Sequence, residues 1–357
     1  MEYYPNSLIY FKVRSMNYVL LLLKIGIKQI DTCLLDWRLR MDRKDEILRI
    51  FSMNLRKILA CANMNYEDLQ EIRLRVNGPL IVIYKNKEYF VNQNCNLDTS
   101  KKNAYIVLQN EMRETMEYIS NYSLYAFEDE IKQGFITIQG GHRVGLAGKT
   151  ILEEDHIKNI KHISFINIRL SHQVKGCANK VLPYVVKEDI IYHTLIISPP
   201  RCGKTTLLRD LIRQISNGNG DNSGVTVGVV DERSEIGACY LGVPQNELGI
   251  RTDILDCCPK ANGMMMLIRS MSPRIIAVDE VGSREDIEAI EYVINCGCKL
   301  IATVHGSCID DIKNKPILGR LVREKVFERY IILNNKGSIG NVEEIYDARG
   351  TLLYRAG

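Results

Sequence analysis

The segment best suited to chemistry is Ser198-Pro-Pro-Arg-Cys-Gly-Lys-Thr-Thr206, between the apolar run 194–197 and a helical pattern over 207–215. A strand, a loop ending Gly-Lys-Thr and a helix form the context of a phosphate-binding loop. Backbone N–H groups around Gly203 and the free first turn of the helix face phosphate oxygens in such a loop. The nucleotide contacts then fall on Ser198, Pro199, Pro200, Arg201, Cys202, Gly203, Lys204, Thr205 and Thr206. Lys204 is the residue to reach the β and γ phosphates, and the Thr205 hydroxyl is placed to ligate Mg²⁺. Ser198 stands where the usual motif has its first Gly; a side chain resists positive φ, so strain or a modified turn is expected there. Cys202, inside the loop, is expected to be open to oxidation.

Two further apolar runs end in acid. Residues 225–230 read as a buried parallel strand delivering Asp231-Glu-Arg-Ser-Glu235, at the end where open α/β sheets bind ligands. Glu232 or Glu235 is placed to orient an attacking water, and Asp231 to help hold the metal. Residues 274–278 end in Asp279-Glu280, with Asp279 on the Mg²⁺ side through water and Glu280 either the catalytic base or its partner. A third run, 299–303, presents Thr303 and His305, and a His at that tip suits sensing of the γ-phosphate. ATP and Mg²⁺ are the cofactors these positions imply.

The elements that must hold these groups come from the whole chain. Its 357 residues suffice for one large or two ordinary domains, and 46% hydrophobic with 25% charged residues describes a globular protein. A net charge of +4, well mixed along the chain, argues against a nucleic-acid partner. Eleven Cys without zinc-ribbon spacing read as reduced, mostly buried thiols. Residues 1–40 stand apart. The apolar run 18–23 stops at Lys24, far short of the roughly 20 residues that span a bilayer. This region reads as a membrane-touching arm, an added packing helix, or an extension upstream of a true start at Met41. From there, period-2 alternation over 71–76, a turn at 77–79 and a strand over 80–84 begin a small meander with Arg73 and Arg75 on one face. Helices are expected over 101–121 and 122–133. Strands over 134–138, 144–148 and 164–170 follow, with His142 and Arg143 at a Gly-rich bend and Arg169 in the last. Residues 236–256 show no clear periodicity and contain Arg251, and the Met-rich stretch 264–269 lies on a helix over 261–271 suited to packing.

With these segments on the page, the chain resembles the secretion-ATPase branch of the RecA-like group, whose members drive type II and type IV secretion and type IV pili. It is most similar to the stage III sporulation protein AA family. The segments that carry the likeness are 71–75, Gly140-Gly-His-Arg-Val-Gly145, 198–206, 230–236, 242–245, 251–253, 264–273, Val278-Asp-Glu-Val-Gly282 and Ala302-Thr-Val-His-Gly306. The resemblance implies an α/β fold, a RecA-like P-loop NTPase core (186–357) behind a smaller N-terminal α+β domain (41–185). It also implies a hexameric homo-oligomeric ring at the cytoplasmic face of a membrane complex, on the mother-cell side. The partners would be membrane components of the stage III sporulation channel to the forespore. Glu280 takes the Walker B position, His305 the His box, and Arg143, Arg169 and Arg73 become candidates for reaching a neighbour's nucleotide. A nucleotide-gated scaffold with little hydrolysis is the alternative. A nucleic-acid motor lacks the basic and aromatic stripe it needs, and a small-molecule kinase lacks an Arg-rich lid.

Overall fold

The computed structural model describes residues 43–123, 127–132, 134–153, 156–188, 190–218, 223–335 and 340–356. The segment 1–40 and the start at Met41 lie outside them, as do parts of the expected helix over 122–133 and of the turn 334–337.

The first half opens with helices α1 (Arg43–Leu48) and α2 (Met53–Cys61), then strands β1 (Leu69–Arg75), β2 (Ile81–Tyr84), β3 (Lys87–Val91) and β4 (Leu97–Asp98). Helices α3 (Gln109–Ile119) and α4 (Glu128–Lys132) lead to β5 (Phe135–Ile138), β6 (His142–Glu153) and β7 (His156–Arg169). The strands form one antiparallel sheet in the order β4-β3-β2-β1-β7-β6-β5. Alternation decides its faces. Leu69, Ile72 and Leu74 of β1 point into a core shared with Phe51, Leu55, Met112 and Ile136, while Glu71, Arg73 and Arg75 lie on the other face. The expected helix over 101–121 is a 3₁₀ turn at Lys101–Asn103 followed by α3. β6 and β7 also run well past their expected ends as a paired ribbon, Lys149↔Lys161 to Glu153↔His156, beyond a register shift at 147–149. Its residues are largely exposed, so no hydrophobic alternation marks them in the sequence.

The second half begins with α5 (Leu182–Val185) and the short hairpin β8 (Val186–Lys187) and β9 (Ile190–Ile191). The strands β10 (Thr194–Ser198), β11 (Val227–Asp231), β12 (Thr252–Asp256), β13 (Ile275–Val278), β14 (Lys299–His305), β15 (Arg329–Leu333), β16 (Val342–Asp347) and β17 (Leu352–Arg355) then form one sheet. Its order is β12-β11-β13-β14-β10-β15-β16-β17, parallel from β12 to β15 and antiparallel beyond. The four central strands are covered on both faces, which is why they read as unbroken apolar runs. Helix α6 (Lys204–Asn217) buries Leu207, Leu208, Leu211, Ile212 and Ile215 on one face, and α7 (Lys260–Met271) and α8 (Arg284–Asn295) cover the other. Short helices α9 (Ile309–Lys313) and α10 (Gly319–Arg323) complete that layer.

Two expectations are corrected here. The stretch 236–256 ends in β12, an edge strand whose Thr-Asp-Ile-Leu-Asp has too few apolar residues to signal itself. The cysteines are not mostly buried thiols: Cys61 and Cys95 form a disulfide, Cys257, Cys296 and Cys308 are exposed, and Cys202, Cys239 and Cys298 are buried. Cys61 closes α2 and Cys95 sits between β3 and β4, a proximity that spacing along the chain does not encode. Among the described residues no helix is long and apolar enough to cross a membrane.

Candidate functional site

Parallel pairing brings the C-terminal ends of β10, β11, β13 and β14 to one edge of the sheet, and the chemistry-bearing residues collect there. After β10, Pro199 and Pro200 lead through Arg201 (φ 64°) and Cys202 to Gly203 (φ 88°), and α6 starts at Lys204. Gly203 supplies no side-chain cap, so the first-turn amides of α6 are free to face an anion. The expected strain at Ser198 lies elsewhere. Ser198 is a fully buried strand residue whose hydroxyl donates to the Pro199 carbonyl at 2.7 Å; the left-handed side-chain-bearing residue is Arg201. Cys202 is buried with its thiol on the Pro200 carbonyl, which corrects the expectation that it is open to oxidation. Gly340, beside β16, braces the loop from outside by donating to the Cys202 carbonyl at 3.0 Å.

Lys204 is 10% exposed at its side chain, and its Nζ contacts Glu280 Oε1. His305 Nε2 lies 2.9 Å from the same oxygen, and Arg233 Nη1 donates to Glu280 Oε2 at 2.9 Å. Burial alone would raise the Glu280 carboxyl, but Lys204, His305 and Arg233 together hold it below the usual carboxylate range. Glu280 has φ 56°, a left-handed conformation uncommon outside Gly, fixed by its N–H donating to Thr303 Oγ1 at 2.9 Å. Asp279 accepts from Thr205 Oγ1 at 2.6 Å and also contacts the Thr303 hydroxyl. Thr205 and Asp279 are therefore already side by side. Among the described residues no cluster of three His, Cys, Asp or Glu forms an all-protein cage. A hard cation that takes few protein ligands and keeps phosphate and water oxygens fits this pair.

The acidic segment after β11 is divided in its tasks. Asp231 is buried and accepts from the backbone N–H of Glu235 (2.9 Å), Ile236 (2.8 Å) and Gly237 (2.8 Å). Its oxygens close the turn, which corrects the expectation that it helps hold the metal. Burial pushes its pKa up to about 6, aided by the Asp256 charge and opposed by those three donors. Glu232 pairs with Lys260 at the start of α7, and Glu235 Oε1 lies 3.4 Å from Arg143 Nη1. Arg209 of α6 fixes the segment by donating to the carbonyls of Ile236 (2.9 Å) and Glu235 (2.7 Å).

The three arginines of the first sheet separate. Arg143 stacks 3.6 Å above the Phe135 ring and reaches Glu235 of its own chain. Arg73 makes a fork onto Glu71 Oε2 (2.9 and 2.7 Å), and Arg169 lies 3.4 Å from Glu71 Oε1. Both thus pair within their own sheet. Beside Arg143, the Gly140 N–H donates to Gln245 Oε1 at 3.0 Å, which seats the Gly-rich corner on the loop after the acidic segment. His142 turns inward, buried, its Nδ1 accepting from the Ser171 N–H at 3.0 Å. Arg251 is tied to the end of α6 through Ser216, away from the strand ends. Arg233 and Lys260 are functional candidates that sequence reasoning missed. A cation inside Asp-Glu-Arg-Ser-Glu is the signal for the first; nothing local marks the second.

A family model described as "Sporulation stage III, protein AA" matches residues 41–353. Stage III sporulation protein AA of Bacillus subtilis (strain 168) is 39% identical over 312 residues, 87% of this chain and 97% of that protein. The Yersinia pseudotuberculosis ATPase DotB superposes with a TM-score of 0.51 at 14% identity, over 79% of this chain and 76% of that one. The pilus retraction motor PilT, solved with bound ADP, gives 0.50 at 14% identity, over 74% and 73%. These two likenesses establish the fold, that of the RecA-like P-loop ATPases. With the match over 41–353 and the near full-length likeness to the Bacillus protein, the chain belongs to the sporulation stage III, protein AA family.

Proposed function

We propose that this protein is a Mg²⁺-dependent ATP hydrolase that works as a ring. It would act at the cytoplasmic, mother-cell face of a membrane complex and drive assembly of, or transport through, a channel to the forespore. The observation that carries the reading is the convergence of Lys204, Thr205, Asp279, Glu280 and His305 at the ends of β10, β13 and β14. The units would be a core over 186–357 and a smaller domain over 41–185. Ala178, Val181 and Val185 pack in the core of the second sheet and favour a seam nearer residue 175.

In this reading the loop 198–206 holds the nucleotide, and Lys204 leaves Glu280 for the β and γ phosphates. Thr205 and Asp279 would hold Mg²⁺, which offsets charge on the phosphoryl oxygens. Oε1 of Glu280, released by Lys204, is then free to accept from the attacking water. A cleft of ≈ 20 Å³ lined by Asp231, Glu232, Arg233, Glu235, Lys260, Asp279 and Glu280 has room for about one water. His305, on the same oxygen, senses whether the γ-phosphate is present. An arginine from a neighbouring subunit would complete the charge.

A second reading, a nucleotide-gated scaffold, is favoured by the Lys204–Glu280 pair, which withholds both groups until nucleotide separates them. The deciding measurement is ATP hydrolysis against protein concentration, with Lys204→Ala as the blank. Specific activity that rises steeply with concentration supports a shared site in a ring. Bound ATP with no turnover at any concentration favours the scaffold.

A further inference from the structure

We infer that Arg233 is a positioning residue for Glu280, dividing the two oxygens of that carboxylate between an anchor and a working atom. The inference rests on reading the site as a nucleotide site.

Arg233 is held out from the end of β11 on a turn with little freedom. Asp231 accepts three backbone N–H groups across that turn, Ser234 is left-handed (φ 52°), and the Ser234 hydroxyl accepts from the Cys239 N–H at 3.2 Å. β11 and β13 are parallel neighbours in the register Val230↔Val278, so the residues that follow each strand emerge side by side. Arg233, three residues past that pair, thus meets Glu280, two residues past it. The guanidinium donates to Oε2 at 2.9 Å, while Lys204 and His305 both address Oε1.

The consequence is an ordered exchange. A carboxylate that loses its lysine to a phosphate can swing away or follow the lysine. With Oε2 fixed by a donor on the turn after β11, Glu280 stays in place and Oε1 changes partner alone. Arg233 also shares the negative charge with Lys204, so the lysine is less tightly held and more readily given up. Its side chain is 64% exposed, and among the described residues its side-chain ion pair is with Glu280. Removing it should leave the architecture intact.

The test is a double-mutant cycle on the full chain, read first by binding. Affinity for ADP carrying an N-methylanthraniloyl fluorophore is measured for the wild type, Arg233→Ala, Glu280→Gln and the double variant. In the Glu280 background, Arg233→Ala should weaken binding about threefold, the size of an exposed ion-pair effect, because the unshared carboxylate holds Lys204 harder. In the Glu280→Gln background it should change nothing. An equal loss in both backgrounds, or none in either, overturns the inference. The second readout is turnover: Arg233→Ala should lower kcat roughly tenfold, as loss of orientation does, and Arg233→Lys should restore most of it. An unchanged kcat, or a Lys variant no better than Ala, also overturns it. Failure of the functional reading looks different. If no chain hydrolyses ATP, the enzyme reading falls and the binding cycle still decides the role of Arg233. If no chain binds the fluorescent ADP, both fall.

Discussion

The two sheets of this protein treat charge in opposite ways. In the antiparallel sheet, strand ends alternate between its two edges, so its arginines spread over a face. Arg73 and Arg169 find their partner in Glu71 of the neighbouring or own strand. In the parallel part of the other sheet every strand ends on the same side. Asp231 and Asp279, each just beyond or at a strand end, therefore line one cleft with Glu280, the carboxylate that Lys204 and His305 both reach. The first arrangement satisfies charge locally; the second concentrates it where exchange with a ligand is possible. Arg143 is the exception that joins them, a side chain of the first sheet on a carboxylate of the second half.

The comparison breaks most visibly at the strand ends. Glu280→Gln should bind nucleotide but lose turnover by about a hundredfold or more, as removal of a general base does. Turnover close to wild type in a steady-state assay would remove Glu280 from the chemistry. Packing separates the sheets next. In Gly263→Ala the new Cβ would lie 2.4 Å from Val230 Cγ1, under α7, and overpacking of this kind costs about 1–3 kcal/mol. In Gly145→Ala of the first sheet the nearest atom is Asn167 O at 3.7 Å, so denaturant unfolding should show little change there.

Acid sharpens the contrast further. Burial first, then the Arg43 charge, lowers the His142 pKa from 6.5 to about 3. The folded state therefore keeps His142 neutral while the unfolded chain protonates near 6.5. Its contribution is complete above that pH and is lost as the pH falls from 6.5 toward 3, by roughly 2 kcal/mol at pH 5. His142→Gln, whose amide oxygen still accepts from Ser171, should flatten the fall in unfolding free energy between pH 7 and 5. The smallest effect on stability belongs to Arg143→Ala. A half-exposed pair at 3.4 Å is worth less than about 1 kcal/mol, so Tm should barely move. Hydrolysis should nevertheless drop and lose its dependence on concentration, while Arg73→Ala and Arg169→Ala leave it alone. Equal loss in all three would mean that the arginines of this face act together.

Much of the second half is legible in the chain, because strands covered on both faces must be apolar and those runs point to their own ends. Lys204, Thr205, Asp279, Glu280 and His305 follow from that logic residue by residue. The first half is harder to read. Its ribbon, 149–153 with 157–161, is largely exposed, and the link between Cys61 and Cys95 joins segments that nothing in their spacing connects; in the second half the polar edge strand β12 shares this difficulty. The position of strain is also hidden: Ser198 departs from the motif, yet Arg201 and Glu280 hold the left-handed conformations.

By itself, then, the sequence determined which groups are available for chemistry and that each stands at the end of a buried strand. It did so because local period and apolar runs are short-range properties. Tertiary structure decided who meets whom. The order β12-β11-β13-β14-β10 is not chain order, so it is strand adjacency that sets Arg233 on Glu280, Lys260 on Glu232 and Asp256 beside Asp231. Packing of the Gly-rich corner sets Arg143 on Glu235 in the same way. A carboxylate's role depends on the cation a few ångströms away, and that distance exists only once the sheet has formed.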